Sequence, residues 1–301
     1  MRLFRLRKTP VENLTFIAMM VAFDAILSLI AALLPLSALF IMLLAPLTSA
    51  AVSLFCKKRY LLVYLFAAIG ICIAVTAWDF LNTLFYMIPA VFTGALYGLL
   101  WRLKLPTSIN IFFTALLSFG FFYLSILLIK AMLNADMVMV LLTIIGKKDD
   151  PFAPIIFPLF ALGYSLAQTG IMHAFVAYEL KRLGQEEVSD AFLAKWYPLI
   201  AAIFLISSLF CGFLCAKTAY FLLGVGIYWS LYSIYPLFEE PKPISFGLAA
   251  LCILGGVFAF AGLYKMMPGQ TGLLLINVPL TLLMGVSALH HYIPYLTHRV
   301  D

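Results

Sequence analysis

Residues 173–198 read HAFVAYELKRLGQEEVSDAFLAKWYP, and this polar stretch interrupts an otherwise strongly apolar chain. It holds four of the thirteen acidic residues and three of the nineteen Lys and Arg residues. One polar interruption beyond the middle of such a chain is typical of a membrane protein in two parts. We therefore expect a first membrane region at 1–182, a cytoplasmic linker at 183–196 and a second membrane region at 197–301.

The composition excludes a soluble domain. Of 301 residues, 65% are hydrophobic and 11% are charged, whereas soluble domains carry about 25% charged residues. The net charge of +6 would indicate a nucleic-acid ligand in a soluble protein, but here it reports loop charges that fix the orientation in a membrane. We expect the lipid bilayer as surroundings and no nucleic acid as a partner.

The chain lacks the usual signs of metal, cofactor or catalytic chemistry. Its five cysteines do not have metal-ligand spacing, and the adjacent His290 and His291 point to different faces of a helix. It has no glycine-rich phosphate loop, no HExxH and no GxSxG motif. We expect no metal, no cofactor and no enzyme activity. Because the sequence shows no nucleotide site, any uphill transport would use an ion gradient or a separate ATPase.

Apolar runs of about 20 residues are what a helix needs to cross a hydrocarbon core of about 30 Å. The sequence predicts an all-α transmembrane bundle of about ten spans, six before the linker and four after it, or eight if one pair is re-entrant. These spans lie near 13–34, 37–56, 60–78, 80–101, 107–130, 153–178, 197–216, 219–237, 244–264 and 271–296.

The Lys and Arg residues predict the orientation. With the N-terminus in the cytoplasm, fourteen of them fall on the inner side and five on the outer side. Positive charge is enriched in cytoplasmic loops, so we expect both termini and the linker to be cytoplasmic. The five outer residues would be Lys130, Lys147, Lys148, Lys217 and Lys265.

The segment 130–151 differs from the predicted spans around it. Its apolar part, MVMVLLTIIG, is too short to cross a membrane, so an interfacial helix or a re-entrant lid on the outer face is expected. Pro151, Pro154 and Pro158 follow. They fit either a broken start of the sixth span or a helix that tolerates proline at its beginning.

Asp24 lies near the middle of the first predicted span. An ionisable group at that depth costs about 2.5–3.5 kcal/mol, so it must face the bundle interior, hold a proton or pair. His173 in the sixth span is a candidate partner, and intramembrane enzyme chemistry would need that pair. Two interpretations stay open: a proton-linked or ligand-linked carboxylate, and a hydrogen bond that packs helices.

Polar residues gather in the predicted outer loops. Asp79 and Asn82 follow Trp78 at the turn between the third and fourth spans, and Asp136 and Lys147 lie in the 130–151 segment. One interpretation is the rim of an outward-facing ligand pocket. For the turn with Asp79 and Asn82, the other interpretation is an interfacial Trp beside a helix cap.

Pairs of small residues recur four positions apart in the predicted spans. Such pairs let helix backbones approach closely. They are Ala18 and Ala22, Gly70 and Ala74, Gly94 and Gly98, and Gly163 and Ala167.

Two stretches carry a family resemblance. FVAYELKRLGQ at 175–185 and AFLAKWYPL at 191–199 resemble a helix end and the following loop in the YybS-like family of bacterial membrane proteins. The first six spans, within 13–182, resemble the substrate-binding S component of energy-coupling factor (ECF) vitamin transporters. The resemblance implies a six-helix bundle in the bacterial cytoplasmic membrane, with an outward pocket capped by the 130–150 loop.

The resemblance also implies a function and partners. An S component binds a small molecule and docks a membrane coupling subunit, which works with ATPases, through an alanine patch on its first helix; Ala18 and Ala22 fit that patch. We expect ligand-binding residues at Asp79, Asn82, Asp136 and Lys147 and buried charges at Asp24 and His173. The alternative is a non-transporting membrane scaffold whose last four spans and linker recruit a partner.

Overall fold

The computed structural model describes residues 6–34, 38–144, 146–183, 189–239, 243–266 and 269–297. Helices joined by short turns make up this part of the chain, and no strand occurs within it. A helix satisfies its backbone hydrogen bonds internally, which an apolar chain in lipid requires. The all-α prediction is confirmed for the described residues.

The α-helices are numbered in chain order. They are α1 (Pro10–Leu33), α2 (Ala38–Leu44), α3 (Pro46–Phe55), α4 (Arg59–Val75), α5 (Phe80–Arg102), α6 (Thr107–Leu133), α7 (Met137–Ile144), α8 (Ala153–Arg182), α9 (Ala191–Ala194), α10 (Tyr197–Cys211), α11 (Ala216–Glu239), α12 (Pro243–Met266), α13 (Gln270–Leu273) and α14 (Asn277–Thr297). Two 3₁₀ turns, Ala77–Asp79 and Leu274–Ile276, precede α5 and α14.

Six helical segments of the described chain are long and apolar enough to cross a membrane. They are Pro10–Leu33, Thr83–Arg102, Thr107–Leu133, Ala153–Arg182, Phe192–Cys211 and Ala216–Phe238. Four shorter apolar helices are Pro46–Phe55, Arg59–Val75, Gly247–Gly262 and Leu274–His290. Each of the ten predicted spans overlaps one of these segments. The apolar helices indicate a membrane-embedded protein, while the count of ten and the orientation stay predictions.

Local residues decide where the long helices begin and end. Thr9 and Glu12 form a capping box at the start of α1: Glu12 N donates to Thr9 Oγ1 at 3.2 Å, and Thr9 N donates to Glu12 Oε2 at 3.1 Å. Pro10 occupies the first position, where its missing N–H costs nothing. At the end of α6, Asn134 adopts a left-handed conformation with φ of 54° and its N–H bonds Lys130 O, a common helix ending.

The second predicted span is divided at one residue. The run 37–56 was expected as a single helix, but α2 ends at Leu44 and α3 begins at Pro46. Proline has no N–H to donate to the preceding turn and clashes with it. The division therefore follows from Pro46, and it leaves the Ala45 carbonyl oxygen within reach of the Thr48 side chain, which donates to it at 2.7 Å.

The 130–151 segment contains no spanning helix in its described residues. Its helix, α7, has eight residues, too few to cross a bilayer, as the sequence predicted. Beyond it, α8 runs without a break from Ala153 through Pro158, and Ile156 N bonds Phe152 O at 3.0 Å in its first turn. The proline-tolerant helix start is therefore confirmed, and the broken start is wrong.

The chain forms two compact units. Unit 1 comprises residues 1–144 and 163–189, and unit 2 comprises residues 145–162 and 190–301. The first ten residues of α8 thus belong to unit 2, whereas the sequence placed all of 1–182 in one region. In unit 1, α5 packs against α3, α4 and α6, and α1 packs against α3 and α4. In unit 2, α10 packs against α11 and α14, and α12 packs against α14.

Two of the small residues noted in the sequence, Gly94 and Gly98, lie where α5 closely approaches α3. A Cβ on Gly94 would overlap Pro46 O and Ser49 Oγ, and a Cβ on Gly98 would lie 2.6 Å from Ser53 Cβ. In contrast, a Cβ on Gly70 or Gly163 would meet nothing within 4 Å. Among the glycines of the predicted pairs, close approach of two helices is therefore confirmed only for Gly94 and Gly98, where α5 meets α3.

Candidate functional site

Asp24 lies in the interior of unit 1, where its side chain is fully buried. Thr48 Oγ1 donates to Asp24 Oδ1 at 2.6 Å, and Tyr64 OH donates to Asp24 Oδ2 at 2.6 Å. The Thr48 and Tyr64 oxygens are themselves 3.1 Å apart. These three side chains come from α1, α3 and α4, so the cluster joins three helices around one carboxyl group. We call it the Asp24 cluster.

Which atoms donate hydrogen bonds in the Asp24 cluster depends on whether the carboxyl group is protonated. Thr48 has one hydroxyl proton but lies within bonding distance of two acceptors, Asp24 Oδ1 and Ala45 O, and it can donate to only one at a time. A protonated Asp24 donates to Thr48 Oγ1, and Thr48 then donates to Ala45 O, so each hydrogen bond is made once. The ionised carboxylate instead competes with Ala45 for the same proton.

No cation neutralises Asp24 within the described part of the chain. No Lys, Arg or His side chain there forms an ion pair or hydrogen bond with it. Burying an unpaired charge is far more costly than burying a hydrogen-bonded neutral group. Both considerations favour the protonated carboxyl group in this geometry.

A cavity of about 200 Å³ adjoins the Asp24 cluster. It lies between α1, α3 and α8 and shares Thr48 with the cluster. Its other walls are mostly apolar, with Glu179 as the only acidic group among the described lining residues. The lining comprises Met20, Phe23, Leu47, Thr48, Ala51, Phe55, Phe175, Val176 and Glu179.

A series of buried hydroxyl groups begins one turn along α1 from Asp24. The Ser28 carbonyl oxygen accepts from Tyr86 OH at 3.0 Å, Tyr86 OH lies 3.2 Å from Thr83 Oγ1, and Thr83 bonds Thr76. All four residues are almost fully buried, and Ser28 Oγ has no hydrogen-bond partner within the described residues. Polar side chains thus follow the α1, α4 and α5 interface from Asp24 to the α4–α5 turn.

His173 belongs to a different contact. Its Nδ1 lies 2.8 Å from Tyr97 OH, and its ring packs 5.9 Å from the Trp101 ring, centroid to centroid. It is half-buried, whereas Asp24 is fully buried. The candidate pairing of Asp24 with His173 is not formed, because the Asp24 oxygens bond Thr48 and Tyr64 and His173 bonds Tyr97.

The residues expected at an outer pocket rim occupy helix ends. Asp79 is half-buried in the 3₁₀ turn before α5. Asp136 caps α7, because its Oδ1 accepts from the N–H groups of Val138 and Met139 at 3.1 and 3.2 Å, and it lies 3.9 Å from Lys130 Nζ. A helix cap was the alternative expected for the Asp79 turn, whereas the side-chain cap lies at Asp136, and the Asp79 side chain forms no cap hydrogen bond.

The other two expected rim residues are Lys147 and Asn82. Lys147 is exposed, pairs with Asp150 at 4.0 Å and belongs to unit 2. The Asn82 side chain lies outside the described residues. None of the four is among the described lining residues of the cavity beside Thr48, and their role in ligand binding stays a prediction.

Ala18 and Ala22 are both exposed on α1. Their positions four residues apart place them on one face of the helix. This face is accessible in the isolated chain, as a docking patch has to be. The described residues contain no group of three or more His, Cys, Asp or Glu side chains that could hold a metal ion.

The sequence identified Asp24 but missed Thr48 and Tyr64. Two features could have revealed them. A Thr two residues after a Pro inside an apolar run lies beside a disrupted helical turn, and the hydroxyl of a Tyr that is buried among apolar residues usually has a polar partner.

Comparisons of the chain with protein-family models, with curated proteins and with solved structures found no match. A functional proposal for this membrane-embedded, all-helical protein therefore rests on the chemistry of the Asp24 cluster and its cavity.

Proposed function

We propose that this protein is an integral membrane protein whose unit 1 binds a small molecule in the manner of an ECF S component. The observation that carries the proposal is the position of Thr48, which lines the 200 Å³ cavity and also bonds the buried Asp24 carboxyl group. A cavity with apolar walls and a few convergent polar groups is the usual form of a small-molecule site.

The cavity walls define the class of ligand. Phe23 and Phe175 line it and are 52% and 58% exposed, so the opening lies among lipid-facing aromatic side chains. Thr48 and Glu179 are the polar residues among the described lining, and Glu179 Oε1 already accepts from Arg182 Nη1 at 3.1 Å, which leaves Thr48 as the polar contact of the proposal. The ligand is a compact, mainly apolar molecule with one polar group, and it enters from the membrane rather than past the predicted outer rim.

Ligand and proton binding are linked through Thr48. A ligand acceptor that takes the Thr48 hydroxyl proton removes the donor to Asp24 Oδ1, which favours a proton on Asp24. A ligand donor to Thr48 Oγ1 has the opposite effect, because it competes with the Asp24 proton. In either case, ligand binding at Thr48 is coupled to the protonation of Asp24.

The S-component hypothesis also supplies a partner. The exposed Ala18 and Ala22 face of α1 is a surface on which a membrane coupling subunit could pack closely. ATPases would act through that subunit, because no nucleotide motif occurs in the chain. This partner stays part of the proposal.

Native mass spectrometry of the protein, purified in mild detergent from its own host, tests the proposal. We expect a co-purifying small molecule that is lost in Ala51→Leu, which fills the cavity, and weakened in Thr48→Val, which keeps the shape but removes the hydroxyl. Ala74→Leu is the matched control, because Ala74 is an exposed alanine on α4 outside the cavity. If all three variants retained the small molecule equally, the cavity would not be its binding site.

The same experiment examines the outer rim. Loss of the molecule in Asp79→Ala or Asp136→Ala, but not in Ala51→Leu, would place the ligand at the helix ends instead. Co-purifying ATPases or a small membrane subunit, weakened by Ala18→Leu, would support the coupling partner.

The alternative function is a membrane scaffold without a ligand. Aromatic packing favours it: Phe92 stacks on Phe121 at 5.0 Å in unit 1, and Tyr197 packs on Trp229 at 5.3 Å in unit 2. A protein that carries other membrane proteins but no small molecule would support this scaffold, and the ligand assignment would then be withdrawn.

A further inference from the structure

A second cavity of about 520 Å³ lies at the end of unit 1 where α5 finishes and α6 begins. It is separate from the cavity beside Thr48, although Phe55 contributes to both. We call it the basic cavity. Its lining comprises Leu6, Leu54, Phe55, Trp101, Arg102, Lys104, Leu105, Thr107, Asn110 and Leu180.

The polar side of the basic cavity is positively charged. Arg102 and Lys104 line it, and no acidic residue does so in the described part of the chain. Arg102 donates to two backbone oxygens, Leu54 O at 3.0 Å and Cys56 O at 2.6 Å, so it is held in place without a carboxylate. Lys104 has no ion-pair partner within the described residues. Two cations therefore face a cavity whose described walls carry no counter-charge.

The backbone around the cavity adds to this charge. Lys104 has a φ of 54°, a left-handed conformation that costs a non-glycine residue roughly 1–2 kcal/mol, yet a cation rather than glycine stands there. Next to it, α6 begins at Thr107 and runs for 27 residues. The positive end of its helix dipole lies at the cavity wall, where it favours an anion.

The remaining walls suit the apolar part of an amphiphile. Leu54, Leu105 and Leu180 surround the cavity, and Trp101 stands beside the cations. Trp is enriched at the level of lipid headgroups, and basic pockets between spans on the cytoplasmic side hold anionic headgroups. The charge pattern predicts that this end of unit 1 faces the cytoplasm.

We propose that the basic cavity binds a phosphate-bearing group, with Lys104 and Arg102 as its cationic contacts and Asn110 and Thr107 as hydrogen-bonding groups. The phosphate belongs either to an anionic phospholipid, whose chains lie along the leucine side chains, or to a soluble phosphate ester. The site is distinct from the one proposed above, and we expect Ala51→Leu to retain binding here because Ala51 is not among its described lining residues.

Binding measurements on the full-length protein in neutral detergent test this site and identify the source of the phosphate. The probes are short-chain phosphatidylglycerol, short-chain phosphatidylcholine and glycerol 3-phosphate, with affinity read from native mass spectra across a titration. We expect phosphatidylglycerol or glycerol 3-phosphate to bind and phosphatidylcholine to bind more weakly. Binding of glycerol 3-phosphate alone assigns a soluble ester, and binding of phosphatidylglycerol alone assigns a lipid.

Lys104→Gln is the decisive variant, because Lys104 is exposed and forms no ion pair within the described residues. It should weaken binding of the anionic probe about fivefold, the loss expected for one basic residue near a charged headgroup, and Lys104→Glu should weaken it further. Lys58→Gln is the control, because Lys58 is an exposed cation outside the cavity lining.

Two results would overturn the proposal. One is an equal loss in Lys58→Gln and Lys104→Gln, which would indicate attraction to the basic surface as a whole. The other is the absence of any preference for the anionic probes over phosphatidylcholine. Retained binding in Ala51→Leu together with loss in Lys104→Gln supports this site independently of the cavity beside Thr48.

Discussion

The phenol hydroxyl of Tyr64 donates to the carboxyl group of Asp24, which is buried on α1. Tyr64→Phe removes that donor and leaves Asp24 Oδ2 buried without a partner. We expect the free energy of unfolding in mixed micelles to fall by about 1–2 kcal/mol. Tyr60→Phe on the same helix should change this free energy little. Among the described residues, the Tyr60 hydroxyl accepts a hydrogen bond from Arg59, and this bond is exposed to the surroundings. Equal losses in the two variants would contradict the account of the Asp24 cluster.

A second residue-scale prediction concerns unit 2. Ser208 Oγ donates to Ala219 O at 2.7 Å and accepts from Asn277 Nδ2 at 3.2 Å, so it connects α10, α11 and α14. Ser208→Ala removes both hydrogen bonds, so the buried Asn277 amide loses its acceptor at Ser208. We expect a loss of about 1–2 kcal/mol in unfolding free energy. Ser207→Ala, one position away and half-buried, is the control and should cost less than half as much.

At this scale the sequence predicts single residues better than their partners. Asp24 stands out because one charge in an apolar run is costly wherever it lies. Thr48 and Tyr64 are 24 and 40 positions away in sequence, and hydroxyl residues are frequent in spans, so their pairing follows only from the packing of α1, α3 and α4. Asp136 shows the converse difficulty, because an acidic residue before a short helix fits a cap as well as a pocket rim.

At the scale of helices, the α3–α5 contact depends on the absence of two side chains. Gly94→Ala would place a methyl group against the Pro46 carbonyl oxygen and 2.8 Å from Ala50 N, and backbone atoms cannot turn aside as a side chain does. We expect a loss of about 1–3 kcal/mol or more in unfolding free energy. The measurement is again equilibrium unfolding in mixed micelles.

Gly120→Ala is the control for the Gly94 prediction. Gly120 is exposed in the interior of α6, with nothing within 4 Å of an added Cβ, so alanine should be neutral or stabilise the helix by up to about 1 kcal/mol. Opposite signs for the two variants identify packing as the cause. If both variants were neutral, α3 and α5 would not be as close as the structure has them.

The GxxxG-like spacing alone could not distinguish these positions. Gly94 and Gly98 pack against α3, while Gly70 and Gly163 face open space, although all four belong to the same kind of pair in the sequence. Which face of a helix meets a neighbour depends on the packing of α3 and α5, and an apolar helix that is hydrophobic all round gives little periodic signal. Helix ends depend on local residues such as Thr9, Glu12 and Asn134, and the predicted first span began three residues after the observed start of α1.

At the scale of the whole molecule, the apolar runs predicted the helices but not their number across the membrane. The described residues form six helical segments of spanning length and four shorter apolar helices. Pro46 shortens one predicted span, and α12 and α14 contribute shorter described apolar stretches. Hydropathy registers the total apolar length of a run, whereas proline and turns decide how that length is divided.

Cys215 offers a direct measurement of orientation. It is exposed between α10 and α11, whereas Cys56 and Cys72 are buried and Cys211 and Cys252 are half-buried. The Thr218 hydroxyl donates to its sulfur at 3.3 Å, and this hydrogen bond lowers the pKa of the Cys215 thiol. A larger thiolate fraction at neutral pH makes the thiol more reactive, so Cys215 should be the first cysteine to be alkylated.

The predicted orientation puts Cys215 on the outer side, at the end of the seventh span. We expect a charged, membrane-impermeant maleimide to label intact cells at Cys215, with no labelling in Cys215→Ser.

Thr218→Val should slow the reaction near neutral pH, because loss of the hydrogen bond raises the pKa of the thiol and lowers the thiolate fraction. The difference between the two proteins should vanish at alkaline pH. Labelling that appears only after permeabilisation would place this loop in the cytoplasm. In that case the predicted orientation of the linker and the C-terminal region would be reversed, or one pair of the last helices would be re-entrant. The few Lys and Arg residues of unit 2 would then not determine its topology.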